Sequence, residues 1–287
     1  MEMLLPDRLK ALWHAVDQKQ LTTEEFSKEN ERLLGAYQQT WKQALLRQPQ
    51  QDLQASLLSE LGVYMQCDEV EVLQRRCERA VETLKGEWHA QVHAQDPQSI
   101  EGFYDQSQTT IYELMWWHTL NEDTSPLAYV TALHFAQQHG CRHYLDFGSG
   151  VGSGGILFAR HGLDVTLADI SSTLLRFCQW RLGQHGLPAT FIDLKGQALL
   201  RHTYDFVTAM DVFEHLVDPV STVEQIYNAI RPGGFLFARI MAEVDIDRPQ
   251  HIVRDFSATF DRMKTLGFIQ VWQDEWLWGH QVFQKGA

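Results

Sequence analysis

The stretch Tyr144-Leu145-Asp146-Phe147-Gly148-Ser149-Gly150-Val151-Gly152 decides how this chain reads. It sets an apolar strand ahead of an acid and three alternating glycines, with a helical pattern following. Glycines let the backbone turn tightly and approach a ligand without a Cβ in the way, and a helix start offers free N–H donors. A loop of this kind, at the C-terminal end of the first strand of an α/β sheet, is where such folds bind ligands.

Working outward, the pattern predicts strands near 143–147, 164–169, 189–193, 205–210 and 234–240. Helices are expected near 153–161, 172–185, 219–230 and 255–266, an alternation that specifies a doubly wound α/β sheet. Two aromatic-rich stretches, Phe268 to Trp276 and Trp278 to Phe283, follow with almost nothing between them. So short a link predicts an antiparallel hairpin, because a parallel crossover needs a dozen or more residues. Pro126 opens a helix to Gln138 that Gly140 closes, and the sheet domain is expected to span residues 126–287.

Residues 1–98 are rich in Leu, Gln, Glu, Lys and Arg, with apolar positions at three- and four-residue spacing, and predict a helical region. Thr22 or Thr23 caps a helix there, Pro49 and Pro97 are expected breaks, and Trp13, Trp41 and Trp88 are expected packing anchors. Residues 99–125 change texture: Gly102-Phe103-Tyr104-Asp105 and an aromatic run through Tyr112, Trp116, Trp117 and His118 predict a lid or linker. Because the strand pattern lies beyond it, removal of residues 1–98 is expected to leave a chain able to form the sheet.

Twenty-four Lys and Arg against 37 Asp and Glu give a net charge of -13, which repels a polyphosphate backbone and excludes general nucleic-acid binding. With 44% hydrophobic residues the chain can bury a core. Its four cysteines form no CxxC pair and no disulfide framework, which points to reduced thiols and a cytoplasmic location. Charged residues interrupt Met1 to Leu12, so no signal peptide is expected, and no apolar run reaches membrane-spanning length. The N-terminal helices are the expected surface for a homodimer.

Gly150-Val151-Gly152-Ser153-Gly154-Gly155 also satisfies the dinucleotide pattern GxGxxG, and Asp169 after the second strand suits ribose hydroxyls in either class of enzyme. The wider set separates them. Asp146-x-Gly-x-Gly-x-Gly, Asp169, Asp193 after the third strand, Tyr204-Asp205-Phe206-Val207 leading to Asp211-Val212-Phe213-Glu214-His215, and Arg231-Pro232-Gly233-Gly234 together resemble class I S-adenosylmethionine (SAM)-dependent methyltransferases over residues 126–285. The Asp-Val-x-Glu-His and Arg-Pro-Gly-Gly segments are similar to the small-molecule branch that includes ubiquinone-biosynthesis methyltransferases.

The resemblance implies a Rossmann-like seven-stranded sheet with a reversed terminal strand, SAM as cofactor, S-adenosylhomocysteine as product, and a small-molecule acceptor methylated at oxygen. It implies cofactor contacts from Asp146, Gly148, Ser149, Gly150 and Gly152 in the loop, from Asp169 and Ile170, from Asp193 and Leu194, and from Met210, Asp211 and Val212. His215, beside the expected sulfonium position, is the leading candidate base. His251 is the second, and Tyr104, Tyr112, His118, His215 and His251 are the expected acceptor contacts. Asp211, Glu214 and His215 also have ligand atoms for a divalent ion, but at a spacing too common to establish a site, and a metal is not favoured. The competing readings are a noncatalytic SAM-binding scaffold, a protein methyltransferase and a nicotinamide oxidoreductase.

Overall fold

Helix α1 (Leu5–Asp17) carries Pro6 in its first turn, where a missing N–H costs nothing. Helix α2 (Thr23–Leu45) starts with a capping box: the Thr22 hydroxyl accepts from the Glu25 amide (3.2 Å) and Glu25 accepts from the Thr22 amide (2.9 Å). Then come α3 (Leu53–Met65), α4 (Val70–Glu78), α5 (Ala80–Gln91), α6 (Pro97–Gln106), α7 (Thr109–Trp117) and α8 (Ser125–Gln138). The alternating half runs β1 (His143–Phe147), α9 (Ser153–Arg160), β2 (Asp164–Asp169), α10 (Ser172–Gln184), β3 (Thr190–Asp193) and β4 (Tyr204–Ala209). A 3-10 turn at Phe213–His215 leads to α11 (Pro219–Ala229), β5 (Ile230–Ala238), α12 (Ser257–Leu266), β6 (Phe268–Gln273) and β7 (Gln281–Lys285). This computed structural model describes residues 2–48, 51–93, 96–119, 125–243 and 245–286, so the break expected at Pro49 lies outside the described residues.

The strands form one seven-stranded sheet in the order β3-β2-β1-β4-β5-β7-β6. Neighbours from β3 to β5 are parallel, and β7 runs antiparallel to both β5 and β6. The expected doubly wound sheet with a reversed terminal strand is therefore present. The chain's direction of winding changes between β1 and β4, which opens a crevice at the carboxyl ends of those strands.

Strand β5 begins at Ile230, four residues before the expected start. Asp205 explains why: its carboxylate accepts from the Arg142 and His143 amides (2.7 and 3.0 Å) and pairs with Arg231 Nε (2.6 Å). Arg231 thus ties the Arg-Pro-Gly-Gly turn to the base of β1 and β4, and Tyr204 pairs with Ile230 across a local register shift. The terminal hairpin is antiparallel as expected, but β6 ends at Gln273, and Trp276 and Trp278 belong to its loop. Asp274 shapes that loop by accepting from the amides of Trp276, Leu277 and Trp278 (2.7 to 2.9 Å).

One face of the sheet packs against α8 and α9 and, in the same apolar cluster, against Leu5 and Leu9 of α1 and Tyr37, Trp41 and Leu45 of α2. Trp41 stacks on Tyr129 (5.8 Å), and the Tyr37 hydroxyl meets His134 Nδ1 (2.9 Å). The other face is covered by Val223 and Ile226 of α11 and Met263 of α12. Trp41 and Trp88 are buried as expected, whereas Trp13 is 38% exposed and packs edge-on against Phe26. Since α1 and α2 complete the core on this face, a chain without residues 1–98 would leave that part of the sheet's cover missing.

Candidate active site

The loop after β1 is shaped from three sides. Gly148 has φ +71°, and a Cβ there would lie 2.5 Å from Val212 Cγ2, so only glycine fits. The Gly148 amide donates to the Ala168 carbonyl (2.8 Å), and Asp169 at the end of β2 accepts from the Gly150 amide (2.9 Å) and the Ser171 amide (2.9 Å). Beneath the loop, fully buried Asp146 accepts from Thr208 Oγ1 (3.0 Å), and that hydroxyl also bonds Tyr144 (2.6 Å). Burial raises the carboxyl pKa of Asp146 to about 7 and that of Asp169 to about 6.

These groups border a cavity of about 1240 Å³ at the strand ends. Gly148, Ser149, Gly150, Asp169, Ile170, Leu194, Met210, Asp211 and Val212 all line it, together with Tyr104, His118, His215 and His251. Helices α6 and α7 form one wall through Phe103, Tyr104, Glu113, Leu114 and Trp117. The segment expected to be a lid therefore supplies wall residues from two helices.

Four expected contacts stand off the cavity lining. Asp146 lies under the loop, where its carboxylate accepts from the Thr208 hydroxyl. Gly152 precedes α9 with φ +74°, and a Cβ there would crowd Cys178 Sγ and Leu182 Cδ1 at 3.1 Å. Asp193 accepts from the Ser172 hydroxyl (3.0 Å) and the Lys195 amide (3.0 Å), fixing the turn after β3. Tyr112 is buried against α4 and accepts from Arg76 Nη1 (3.0 Å). For Asp146, Asp193 and Tyr112 a partner on the chain engages the polar group.

The cavity wall also gathers histidines. The 3-10 turn places His215 with Nδ1 3.1 Å from the Gln250 carbonyl and 3.0 Å from the Tyr104 hydroxyl. A carbonyl only accepts, so Nδ1 carries the hydrogen and Nε2 is the lone-pair nitrogen. Burial first, and the adjacent His251 second, lower the His215 pKa to about 4, keeping the ring neutral at physiological pH. His251 packs edge-on against His215 at 4.8 Å, with Nδ1 3.8 Å from Glu243. His118 is a buried wall residue, edge-on to Trp41, whose indole N–H donates to the His118 carbonyl (3.1 Å).

Sequence reasoning left Arg239 out. It follows the last apolar residue of β5, and its guanidinium Nη1 lies 3.3 Å from Asp211, 3.2 Å from Glu243 and 3.9 Å from Glu214. A charged residue immediately past the C-terminal end of an apolar strand was the available signal. Asp211 itself has φ +50°, a sterically disfavoured conformation for a residue with a Cβ. Glu214 is buried beside Asp211, and its pKa is raised to about 8 by that burial and then by the neighbouring charge. Among the described residues, the ligating atoms that come together are those of Glu214, His215 and His251, within 4.8 Å of one another. His251 replaces Asp211 in the trio anticipated from sequence.

Residues 145–236 match a family model described as a methyltransferase domain. Curated relatives include the ubiquinone biosynthesis O-methyltransferase of Vibrio cholerae, 31% identical over 153 residues, with 50% of this chain and 59% of the relative covered. That of Nitrosospira multiformis is 32% identical over 133 residues, covering 42% of this chain and 54% of the relative. The matches thus span less than two thirds of those relatives' length. Among solved structures, phosphoethanolamine N-methyltransferase 2 of Haemonchus contortus in complex with S-adenosyl-L-methionine matches with a TM-score of 0.47 and 21% identity, covering 59% of this chain and 44% of that one. Residues 145–236 thus carry the likeness to a methyltransferase domain, and the glycine loop lies at the switch point of the strand order β3-β2-β1-β4-β5-β7-β6.

Proposed function

We propose that this chain transfers the methyl group of SAM to a small-molecule acceptor, at oxygen. The observation that carries the reading is one continuous cavity joining the glycine loop and Asp169 to the His215–His251–Tyr104 group. A cavity of about 1240 Å³ exceeds the usual range of about 300–1,000 Å³ for a single small ligand and suits a cofactor with an acceptor beside it. The residues present fit SAM: the loop has no Cβ at Gly148 or Gly150, and Asp169 brings a carboxylate to the cavity. Gly148, Ser149 and Gly150 would hold the methionine portion, Asp169 the ribose hydroxyls, Ile170 and Leu194 the adenine, and Met210, Asp211 and Val212 the sulfonium end.

SAM supplies a methyl group already activated by its sulfonium charge, so positioning is the protein's main contribution. His215 Nε2 accepts the acceptor's hydroxyl proton, with the Gln250 carbonyl fixing the tautomer that makes this nitrogen available. Tyr104 holds the same ring from α6.

Calorimetry tests the cofactor assignment: SAM and S-adenosylhomocysteine are expected to bind and NAD to give no heat. Micromolar NAD binding without SAM heat would overturn it. The Asp169 carboxylate must be ionised to accept from both ribose hydroxyls. Its pKa is raised to about 6, so cofactor affinity is expected to hold above that pH and weaken as pH falls through it. Asp169→Asn should lower affinity at neutral pH and abolish this pH dependence; a variant with the wild-type pH profile would remove Asp169 from the site.

The Glu214, His215 and His251 grouping supports a second reading, metal-assisted transfer. Against it stands Arg239, whose Nη1 brings a positive charge within 3.9 Å of Glu214, the one carboxylate of the grouping. Activity is expected to survive chelation; loss on chelation with recovery on added magnesium would favour the metal.

A further inference from the structure

Glu60 sits on α3, far from the glycine loop in sequence, yet it is 1% exposed and its two carboxylate oxygens are both committed. Oε2 accepts from Arg181 Nε (2.7 Å) and Oε1 from His185 Nε2 (2.7 Å), both on or next to α10. Arg160 Nη2 approaches His185 Nδ1 at 3.0 Å; an arginine only donates, so Nδ1 accepts and Nε2–H points at Glu60. Arg181 is fully buried, and its Nη1 reaches on to the loop, donating to the Val151 carbonyl (3.0 Å) and to Ser153 Oγ (2.8 Å). The preceding carbonyl, that of Gly150, accepts from Cys178 Sγ (2.9 Å). Two successive carbonyls of the loop are therefore held from α10, and the side chain that holds the second is itself held from α3.

We propose that Glu60 is a positioning residue for the cofactor loop, acting through Arg181. The inference rests on the proposed use of this loop for SAM. The geometry favours it because a guanidinium has a rigid fork: with Nε fixed by Glu60, the direction of Nη1 toward Val151 and Ser153 is fixed too. Burial strengthens the pair's direction, since no water competes for either partner. Apolar neighbours Leu57 and Leu61 of α3 pack in the same cluster as Val151 and Phe177, which keeps α3 at this distance from the loop. The N-terminal helical region thereby becomes part of the cofactor site without lining it at Glu60.

The test uses the full chain and S-adenosylhomocysteine as the calorimetric probe. Glu60→Gln keeps the side chain's shape and removes the charge that fixes Arg181, and is expected to weaken S-adenosylhomocysteine by about tenfold or more, the size of one charge-assisted hydrogen bond. Leu33→Ala on α2, a core truncation away from the loop, is the stability control and should lower the melting temperature with affinity unchanged. Ser153→Ala leaves the Glu60–Arg181 pair whole, removes one of the two loop contacts, and should weaken binding in the same direction by less; it also serves if Glu60→Gln does not fold. Equal affinity losses in Leu33→Ala and Glu60→Gln, or unchanged affinity in folded Glu60→Gln and Ser153→Ala, overturn the proposal alone. A wild-type chain that gives no heat with S-adenosylhomocysteine overturns the proposed function, and the role of Glu60 with it.

Discussion

Replacing His215 with alanine is expected to lower turnover by about 10²–10⁴-fold while SAM affinity stays nearly unchanged. The reasoning follows from position and protonation. His215 stands in the cavity wall, its Nδ1 is engaged by the Gln250 carbonyl, and burial keeps the ring neutral, so Nε2 is ready to take a proton. The loss falls on the transfer step because none of the proposed contacts to the methionine portion, ribose or adenine comes from His215. Single-turnover rates on the true acceptor, with cofactor affinity measured separately, check this. A folded alanine variant with wild-type turnover would remove His215 from the chemistry and move attention to His251.

Deleting residues 1–98 is expected to abolish cooperative folding. The deletion strips Tyr37, Trp41 and Leu45 from the cluster that covers one face of the sheet, and it takes Glu60 away from a fully buried Arg181. Each large apolar side chain that loses its burial forfeits about 1.5–3 kcal/mol, so several together amount to a large share of the ~5–15 kcal/mol by which a domain is stable. Near-ultraviolet circular dichroism and a denaturant titration decide it: a truncated chain with a sharp transition and native aromatic signal would show that the sheet stands without these helices.

Strand positions were legible because apolar runs bounded by Gly, Asp and Pro carry their own local signal, and β1 and β2 fall where the pattern puts them. The glycine loop and Asp169 were legible for the same reason, being a motif contiguous with its strands. Asp193 and Tyr112 were not, since their polar atoms could be assigned only after folding brought Ser172, Lys195 and Arg76 within reach. The same holds for the cover supplied by α1 and α2. Their apolar stripes announced helices that bury one face, but a stripe does not say whether it meets a second copy of the chain, a partner or the chain's own sheet. Trp276 and Trp278 were read as strand residues because aromatics favour strands; Asp274, by capturing three consecutive amides, turns the chain before the strand can continue.

The buried Glu60–Arg181 pair and the Trp41–Tyr129 stack both cross the point at which the helical region gives way to the sheet. A recombination experiment that joins these N-terminal helices to another methyltransferase domain would therefore have to move matched residues in α8 and α10 along with them. Modularity in this chain resides in sets of facing side chains, and a contiguous cut near residue 98 divides those sets.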